Sequence, residues 1–293
     1  MINLLNYLYN IDIKRIDSFD DFYIAFCDSN IYLFTHANIN YDYTRNFSII
    51  SKLNEKSFFS YNFVRNIYNE FTFKYNDHEY VLLEIDDNYD KTLDLLENLD
   101  FYERANMCLK NVYKYTNIWD YLWRNNINLV INKVTSDLLF NDNMPYFIYY
   151  LGVCSTLVKY ISIVNNSIHD KSFRIAFCHF RVDYNCKYLD FYNPGLYIID
   201  LEIRDIASYI KSLFYCNVEY LTELEYYLKV RHLSVYEANM LYIRLAYPDL
   251  FFDEVIHDKK ISHVLYNVDN YKLFLKKTYE LINSYVNIIV PRL

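Results

Sequence analysis

Strand-type and helix-type hydrophobic patterns occupy different parts of this 293-residue chain, and their separation limits the folds open to it. Short aromatic and β-branched runs with turn-forming residues between them are concentrated before residue 86. They predict a hairpin, a helix and a second hairpin, at residues 22–35, 47–53 and 71–85. The acidic, turn-like residues 86–88 come next and suit a linker.

From residue 91 onwards, apolar residues recur at intervals of three and four, which is typical of helices that bury one face. Helices are predicted at residues 91–115, 119–134, 145–164, 206–215, 222–230, 235–247 and 271–287. A short strand at 174–178 and a hairpin at 188–199 interrupt them. The pattern predicts an α+β protein with a small β-rich part, residues 1–86, and a larger, mainly helical part, residues 87–293.

Composition and charge narrow the classes of function. The net charge is −8 and no basic stripe appears, so we expect no nucleic-acid partner. The six cysteines form no CxxC pair, which argues against structural zinc and indicates reduced thiols. The sequence shows no signal peptide and no uninterrupted apolar stretch of membrane-spanning length. We therefore expect a cytoplasmic protein without a membrane span.

The most informative segment is residues 178–214, which read CHFRVDYNCKYLDFYNPGLYIIDLEIRDIASYIKSLF. This segment resembles the catalytic and metal-binding segment of the aminoglycoside and choline kinase-like phosphotransferases. In that family a His-Gly-Asp loop and an Asn precede a metal-binding Asp on a hairpin. The resemblance implies a bilobal protein-kinase-like fold, and an active member would use ATP and Mg²⁺.

The loop departs from the family pattern at the positions that carry the chemistry. His179 keeps the family's His, but Phe180 replaces the Gly and Arg181 replaces the catalytic Asp. Cys186 stands where the metal-binding Asn is expected, next to Asn185. Because Arg is a permanent hydrogen-bond donor, it cannot accept the proton of an acceptor hydroxyl as an Asp can. The catalytic loop is therefore interpreted as degenerate.

Two acidic residues remain where the family binds its metal. Asp200 matches the metal-binding Asp, and Glu202 takes the second acidic position. In an extended strand both carboxylates would point to the same side and could hold Mg²⁺. The interpretation we prefer is that Asp200 only caps the loop and accepts hydrogen bonds from its backbone. His179 is then a hydrogen-bonding anchor, and Asp205 is the N-cap of the next helix.

The first part of the chain lacks the groups that usually hold ATP. A phosphate cradle needs glycine, because backbone N–H groups must approach the phosphates closely, yet the first glycine is Gly152. The lysine expected on the strand at residues 31–35 is also missing, and Phe34 and Thr35 occupy its neighbourhood. With Arg181, these absences predict a protein that uses no cofactor.

Two more segments narrow the resemblance. Residues 232–252, HLSVYEANMLYIRLAYPDLFF, resemble the C-terminal stretch of the CotS/YutH-type spore coat-associated branch, and residues 119–123, WDYLW, also fit it. This branch implies a degenerate kinase-fold protein, a pseudokinase, that acts through protein contacts. Its expected partners are spore coat proteins, and its expected location is the cytoplasm or the spore coat.

Two other functions stay open on the sequence. An active small-molecule phosphotransferase would use ATP and Mg²⁺ with Asp183, Asp200 and Glu202, and Asp183 would replace the missing acid on a redrawn loop. A nucleotide-binding regulator would hold ATP without transferring its phosphate.

Overall fold

The computed structural model describes residues 1–19, 22–37, 43–54, 61–136, 144–169, 171–257 and 267–293. The chain forms two compact units. The first, which we call the sheet unit, joins Met1–Tyr113 with Asn185–Ile198. The second, the helical unit, joins Lys114–Tyr184 with Ile199–Leu293. The lobe boundary predicted after residue 86 stays a prediction.

The predicted elements occur in the predicted order except at residues 188–191, and the structure adds elements at Ile2–Tyr9, Arg15–Ser18, Asn62–Phe63 and Asp249–Ile256. The helices are α1 (Ile2–Tyr9), α2 (Tyr43–Asn54), α3 (Leu99–Leu109), α4 (Trp119–Ser136), α5 (Met144–Ser167), α6 (Tyr188–Phe191), α7 (Ile203–Tyr215), α8 (Leu221–Arg231), α9 (Val235–Leu245), α10 (Asp249–Ile256) and α11 (Val268–Tyr285). The strands are β1 (Arg15–Ser18), β2 (Phe22–Phe26), β3 (Ile31–His36), β4 (Asn62–Phe63), β5 (Thr72–Tyr75), β6 (His78–Ile85), β7 (Ile175–Cys178) and β8 (Ile198–Leu201). The prediction of an α+β fold, with an antiparallel sheet first and a mainly helical remainder, is confirmed.

The sheet unit contains both hairpins predicted before residue 86. Its strands run antiparallel in the order β1-β2-β3-β6-β4, and β5 also pairs with β6. Asn76 and Asp77 connect β5 to β6 with φ angles of 47° and 62°. Two successive left-handed residues form the turn that matches the twist of a tight hairpin, and Asn and Asp tolerate this backbone better than most residues.

The core of the sheet unit is largely aromatic. Helix α1 contributes Leu5 and Tyr9 to a buried cluster that includes Phe34 and Phe73. The Phe34 ring meets Phe73 edge-on at 6.3 Å between centroids, and the Tyr9 ring meets Phe73 in the same way at 5.8 Å. Phe34 therefore packs into the core near the position where the family resemblance leads one to expect a lysine.

The helical unit is centred on α9, whose residues from Tyr236 to Leu245 are all buried. A helix that is buried on every side has no polar, solvent-exposed face, so its hydrophobic pattern does not show where it begins. A local capping motif is then needed to mark its first residue. Ser234 provides it: its side chain accepts from the Glu237 backbone N–H at 3.1 Å, and the Glu237 carboxylate accepts from the Ser234 N–H at 3.0 Å. The capping box fixes where α9 begins.

One predicted element in the segment of the family resemblance is wrong. Tyr188–Phe191 was expected as a strand, but it forms the single-turn helix α6. Four apolar and polar residues in a row fit either periodicity, so sequence alone does not separate them. Strand β8 pairs with β7 instead, in a two-stranded sheet. This pairing places Asp200 at the end of a strand and next to α7.

Helix α5 is the one helix among the described residues that is long and apolar enough to cross a membrane. Its most apolar window has a mean hydropathy of 1.6, and half of that window is buried inside the protein. Buried core helices meet the same two criteria, so this is weak evidence for a span. The predicted absence of a membrane span stays a prediction.

Candidate functional site

The carboxylate of Asp200 is saturated by donors from its own chain. Asp200 is 6% exposed. Its Oδ1 accepts from the Tyr115 hydroxyl at 2.7 Å and from the Leu201 N–H at 2.8 Å. Its Oδ2 accepts from Trp119 Nε1 at 2.8 Å and from Arg204 Nη1 at 2.7 Å. A carboxylate offers about four acceptor positions, so these four bonds use its capacity.

Arg204 neutralises the charge of Asp200 from one helical turn further along the chain. The two side chains form an ion pair in which Arg204 is 11% exposed. Burial alone would lower the pKa of Arg204, but the nearby Asp200 charge outweighs it and the pKa is raised. Burial and the same Asp200 charge raise the pKa of Tyr115, so its hydroxyl stays protonated and donates.

Glu202 belongs to a different network from that of Asp200. It has a helical backbone, with φ −47° and ψ −41°, and is 1% exposed. Its Oε1 accepts from Tyr227 Oη at 3.1 Å and from Arg231 Nε at 2.8 Å, and its Oε2 accepts from Arg231 Nη2 at 2.6 Å. The strand does not extend through Glu202, so the condition for placing both carboxylates on one side fails.

Metal binding by Asp200 and Glu202 stays a prediction. Within the part of the chain that the structure describes, no group of three or more His, Cys, Asp and Glu side chains is arranged to hold a metal ion. A hard cation such as Mg²⁺ prefers several oxygen ligands in a near-octahedral arrangement. At Asp200 the neighbouring group is instead the guanidinium of Arg204.

His179 is anchored to α7 by Asp205. The His179 backbone N–H donates to Asp205 Oδ1 at 2.9 Å, and His179 Nδ1 lies 2.6 Å from Asp205 Oδ2. Arg204 Nε donates to the His179 carbonyl at 3.1 Å. Asp205 is the third residue of α7, and Glu202 occupies the N-cap position, so the expectation that Asp205 is the N-cap is wrong. Its position in the first turn still favours a negative charge.

Arg181 forms an ion pair with Asp253 of α10. Burial would lower the pKa of Arg181, but the carboxylates of Asp249 and Asp253 raise it, so the group keeps its charge. Asp183, the acid proposed to replace the missing catalytic Asp, is exposed and belongs to the helical unit. Cys186 is half-buried in the sheet unit, where its carbonyl accepts from the Leu93 N–H at 2.8 Å.

A cavity of about 270 Å³ lies in the helical unit, lined by residues of α4, α7, α9, α10 and the loop after β7. One wall is aromatic: Trp119, Trp123 and Tyr247, with the Trp123 and Tyr247 rings stacked at 4.1 Å between centroids. Three arginines also line it, Arg181, Arg204 and Arg244. The carboxylates of Asp249 and Asp253 line it as well, so the cavity combines flat apolar surface with three cations and two anions, and Asp183 is not among its lining residues.

A buried ion pair lies beside this cavity. The ammonium of Lys211 donates to Asp249 Oδ2 at 2.5 Å and to the Tyr247 carbonyl at 3.1 Å. Burial lowers the pKa of Lys211 to about 8, even though Asp249 favours the charged form. Lys211 in return lowers the pKa of Asp249 against the effect of burial. The pair ties α7 to the start of α10.

Sequence reasoning missed Arg204, Arg244, Lys211 and Asp249. Arg204 could have been found, because an Arg four residues after an Asp at a helix start is a recognised pairing distance. Arg244 and Lys211 lie within helices that are otherwise largely buried, and a charge in such a helix is a signal of a partner or a ligand. Asp249, the partner of Lys211, lies 38 positions further along the chain and gave no local signal.

The arrangement of elements and of His179, Asp200 and Asp205 defines a protein with the aminoglycoside phosphotransferase-like, kinase-like fold. The chain is similar to an aminoglycoside phosphotransferase from Alicyclobacillus acidocaldarius, with 14% identity, a TM-score of 0.66 and coverage of 93% of this chain and 91% of that one. Such low identity shows the fold alone. The chain also matches the family described as "Spore coat putative kinase YutH" over residues 2–260, and it belongs to that family. The resemblance seen in the sequence is confirmed.

Two other solved structures share the fold. A spectinomycin phosphotransferase, APH(9)-Ia, in complex with ADP and spectinomycin, has 13% identity and a TM-score of 0.57, and 98% of each chain is covered. The amicoumacin kinase hAmiN, in complex with AMP-PNP, Ca²⁺ and its substrate Ami, has 9% identity and a TM-score of 0.55, with 99% of this chain and 94% of that one covered. A comparison with curated protein sequences finds no match.

Proposed function

We propose that this chain is a pseudokinase of the YutH family that does not transfer phosphate and acts by binding other proteins at the spore coat. The observation that carries the proposal is the state of Asp200, whose carboxylate accepts four internal hydrogen bonds, one of them from Arg204. Arg204 supplies at this carboxylate the positive charge that Mg²⁺ supplies in an active phosphotransferase.

Mg²⁺ could bind Asp200 only after Arg204 had left the carboxylate. Both side chains are largely buried. Separating a buried, hydrogen-bonded ion pair costs about 3–5 kcal/mol. That cost corresponds to a loss of affinity of about 10²–10⁴-fold at a metal site that would otherwise be ready to bind. The internal pair therefore opposes metal binding without any steric block.

The acceptor side of the reaction meets a second obstacle. Arg181 stands where the family has the acid that orients the acceptor hydroxyl, and it is paired with Asp253. A guanidinium donates hydrogen bonds and keeps its proton, so it cannot accept one from a hydroxyl. Asp183 is exposed and does not line the cavity next to Arg181, which supports the degenerate interpretation of the loop.

The phosphate-binding side supports the same proposal. The connection between β1 and β2, where a phosphate loop would be expected in this fold, contains no glycine. Strand β3 contains no lysine, and its Phe34 is part of the buried core cluster. Close approach of backbone N–H groups to phosphate favours glycine, and a cation is needed to offset the phosphate charge.

Binding to other proteins is proposed from the surface and from the family. Large apolar side chains on the helical unit, among them Tyr121, Ile148 and Phe180, are exposed. Aromatic side chains offer apolar area together with little conformational freedom, which suits protein interfaces. Because the family takes its name from the spore coat, coat proteins are the proposed partners and the coat the proposed location. The cytoplasmic location stays a prediction.

The deciding experiment is thermal unfolding of the wild type in the presence of Mg²⁺, ATP, and both together. We expect no stabilisation that requires ATP and Mg²⁺ at once. A ligand at one hundred times its dissociation constant stabilises a protein by about 2.7 kcal/mol, so occupied sites give a clear shift. A metal-dependent shift of several degrees that disappears in Asp200→Asn, and persists in the surface variant Arg124→Met, would refute the proposal.

An active small-molecule phosphotransferase is the second candidate. The observation that favours it is that the chain keeps Asp183, Asp200 and Glu202 on a fold shared with structures that hold ADP or AMP-PNP. ATP consumption in the presence of a hydroxyl acceptor, abolished by Asp200→Asn, would establish it. Stabilisation by ATP without Mg²⁺ and without turnover would instead indicate a nucleotide-binding regulator.

A further inference from the structure

Arg244 occupies an unusual position in the wall of the cavity. It is 6% exposed, and its Nε is buried without a hydrogen-bond partner among the described residues. Its guanidinium carbon lies 5.2 Å from the ring centroid of Trp119 and 5.6 Å from that of Tyr247. Aromatic rings stabilise the positive charge from their faces, but they leave the N–H donors unsatisfied.

The neighbouring cations each form an ion pair with a carboxylate, whereas Arg244 forms none among the described residues. The pairs are Arg181 with Asp253, Arg204 with Asp200, and Lys211 with Asp249. The carboxylates of Asp183 and Asp205 also stabilise the charges of Arg181 and Arg204. Arg244 differs from these three cations because its buried Nε–H donor has no hydrogen-bond partner among the described residues.

A buried charge without a counter-ion is costly, and Arg cannot relieve the cost by losing its proton near neutral pH. Burial and the neighbouring Arg204 lower the pKa of Arg244 below its ordinary value, although the carboxylates of Asp249 and Asp200 act in the opposite direction. A protein tolerates such a group where a ligand compensates it. Arg244 borders the cavity, so a compensating anion has space to reach it.

We propose that the cavity binds a small organic anion, whose oxyanion group pairs with Arg244 and whose flat apolar part lies against the aromatic wall. The planar guanidinium offers parallel donors that match the geometry of a carboxylate or a phosphate. The wall of Trp119, Trp123 and Tyr247 suits an aromatic or other planar body. A volume of about 270 Å³ limits the ligand to a small molecule.

This inference does not depend on the loss of phosphoryl transfer. The cavity is built entirely from residues of the helical unit. Neither ATP nor Mg²⁺ enters the experiment, so failure of the pseudokinase proposal would leave the anion site intact, and the reverse also holds.

The two tryptophans of the chain, Trp119 and Trp123, both line the cavity, so intrinsic fluorescence reports on its occupancy directly. The wild type is titrated with inorganic phosphate in one arm and with benzoate in the other, at constant ionic strength kept with chloride. We expect a saturable change with at least one probe below about 10 mM, and no such change with chloride alone. Saturation by phosphate alone assigns the site to phosphate esters, and saturation by benzoate alone assigns it to carboxylates.

Substitution of Arg244 separates a ligand site from a structural role. In Arg244→Met the buried guanidinium with its unpartnered Nε is gone, so we expect a melting temperature at least equal to that of the wild type and probe binding at least tenfold weaker. Arg244→Lys keeps the charge but loses the planar donors, and should bind several-fold more weakly. The matched control Arg124→Met removes an exposed arginine of α4 and should bind as the wild type does.

Four results would overturn the proposal. They are the lack of a saturable response to both probes, an equal response to chloride, unchanged binding in Arg244→Met, and a melting temperature of Arg244→Met several degrees below that of the wild type. The last would mean that the charge of Arg244 is satisfied within the protein. If Arg244→Met does not fold, the wild-type titration and Arg244→Lys decide, and equal binding by Arg244→Lys counts against the site.

Discussion

Replacing Asp200 by Asn tests whether the Asp200 carboxylate serves to hold the surrounding side chains or is available to bind a metal ion. The substitution keeps the size of the side chain and removes its charge. Asn has a single acceptor oxygen, whereas the Asp200 carboxylate accepts from Tyr115, Trp119, Arg204 and the Leu201 N–H. The amide NH₂ therefore meets groups that donate, and at least two of the four hydrogen bonds are lost or weakened.

The expected loss of stability follows from these contacts. A hydrogen bond to a charged group contributes about 1.5–3 kcal/mol, so two such bonds account for about 3–6 kcal/mol. Removing one partner of a buried ion pair costs about 3–5 kcal/mol, because Arg204 keeps its charge and loses its counter-ion. The two estimates agree, and we expect Asp200→Asn to lower the free energy of unfolding by about 3–5 kcal/mol.

Urea unfolding, monitored by tryptophan fluorescence, measures this loss of stability in the helical unit. Trp119 and Trp123 both belong to the helical unit, and Trp119 donates directly to Asp200. With a urea slope of about 2–3 kcal/mol/M, the midpoint should fall by about 1–2 M. As a control, Asp183→Asn removes an exposed carboxylate from the loop after β7. Its free energy of unfolding should stay within about 0.5 kcal/mol of the wild-type value.

A double-mutant cycle sharpens the test. Arg204→Met in the Asp200→Asn background removes the stranded charge, so the double variant should be less destabilised than the sum of the single variants. The reasoning is refuted if the free energy of unfolding of Asp200→Asn lies within about 1 kcal/mol of the wild-type value. It is also refuted if Mg²⁺ alone stabilises the wild type but not Asp200→Asn, since a free metal site would then exist.

Glu202→Gln should lower the free energy of unfolding by about 3–5 kcal/mol in the same urea assay, because Arg231 keeps its charge without a buried counter-ion; a change below about 1 kcal/mol would contradict this. Lys211 has a pKa of about 8 in the folded protein against 10.5 as its ordinary value. Between these values the unfolded chain holds more protons, so stability rises with pH, and the difference in unfolding free energy between the wild type and Lys211→Met should rise by about 1.4 kcal/mol per pH unit. A flat difference from pH 8 to 10 would show that Asp249 keeps Lys211 charged throughout. Ser234→Ala removes the cap of α9 and should cost about 1 kcal/mol, measured against the neighbouring surface change Lys229→Ala as control.

The elements that the sequence predicted well are those with strong local signals. The hairpin through Asn76 and Asp77 combines alternating strands with residues that tolerate a left-handed backbone. The predicted helices α7, α8, α9 and α11 have apolar residues at helical spacing, and α9 has its cap at Ser234. Residues 188–191 have no comparable signal, since four residues are too few to separate one periodicity from another.

The absence of chemical groups is visible in the sequence itself. No glycine occurs before Gly152, strand β3 has no lysine, and Arg181 takes the place of an acid. Folding brings distant residues together, but it does not supply within a short motif the residue type that the motif lacks. The sequence therefore determined the fold class and the family, and it predicts a degenerate loop.

The pairing of charges had to wait for the folded chain. Arg181 meets Asp253 across 72 positions, and Lys211 meets Asp249 across 38. Hydrophobic periodicity records which faces are buried, and it carries no information on which charges those faces bring together. Distance in three dimensions determines which cations find carboxylates. It also leaves Arg244 over the aromatic wall, with its buried Nε lacking a hydrogen-bond partner among the described residues.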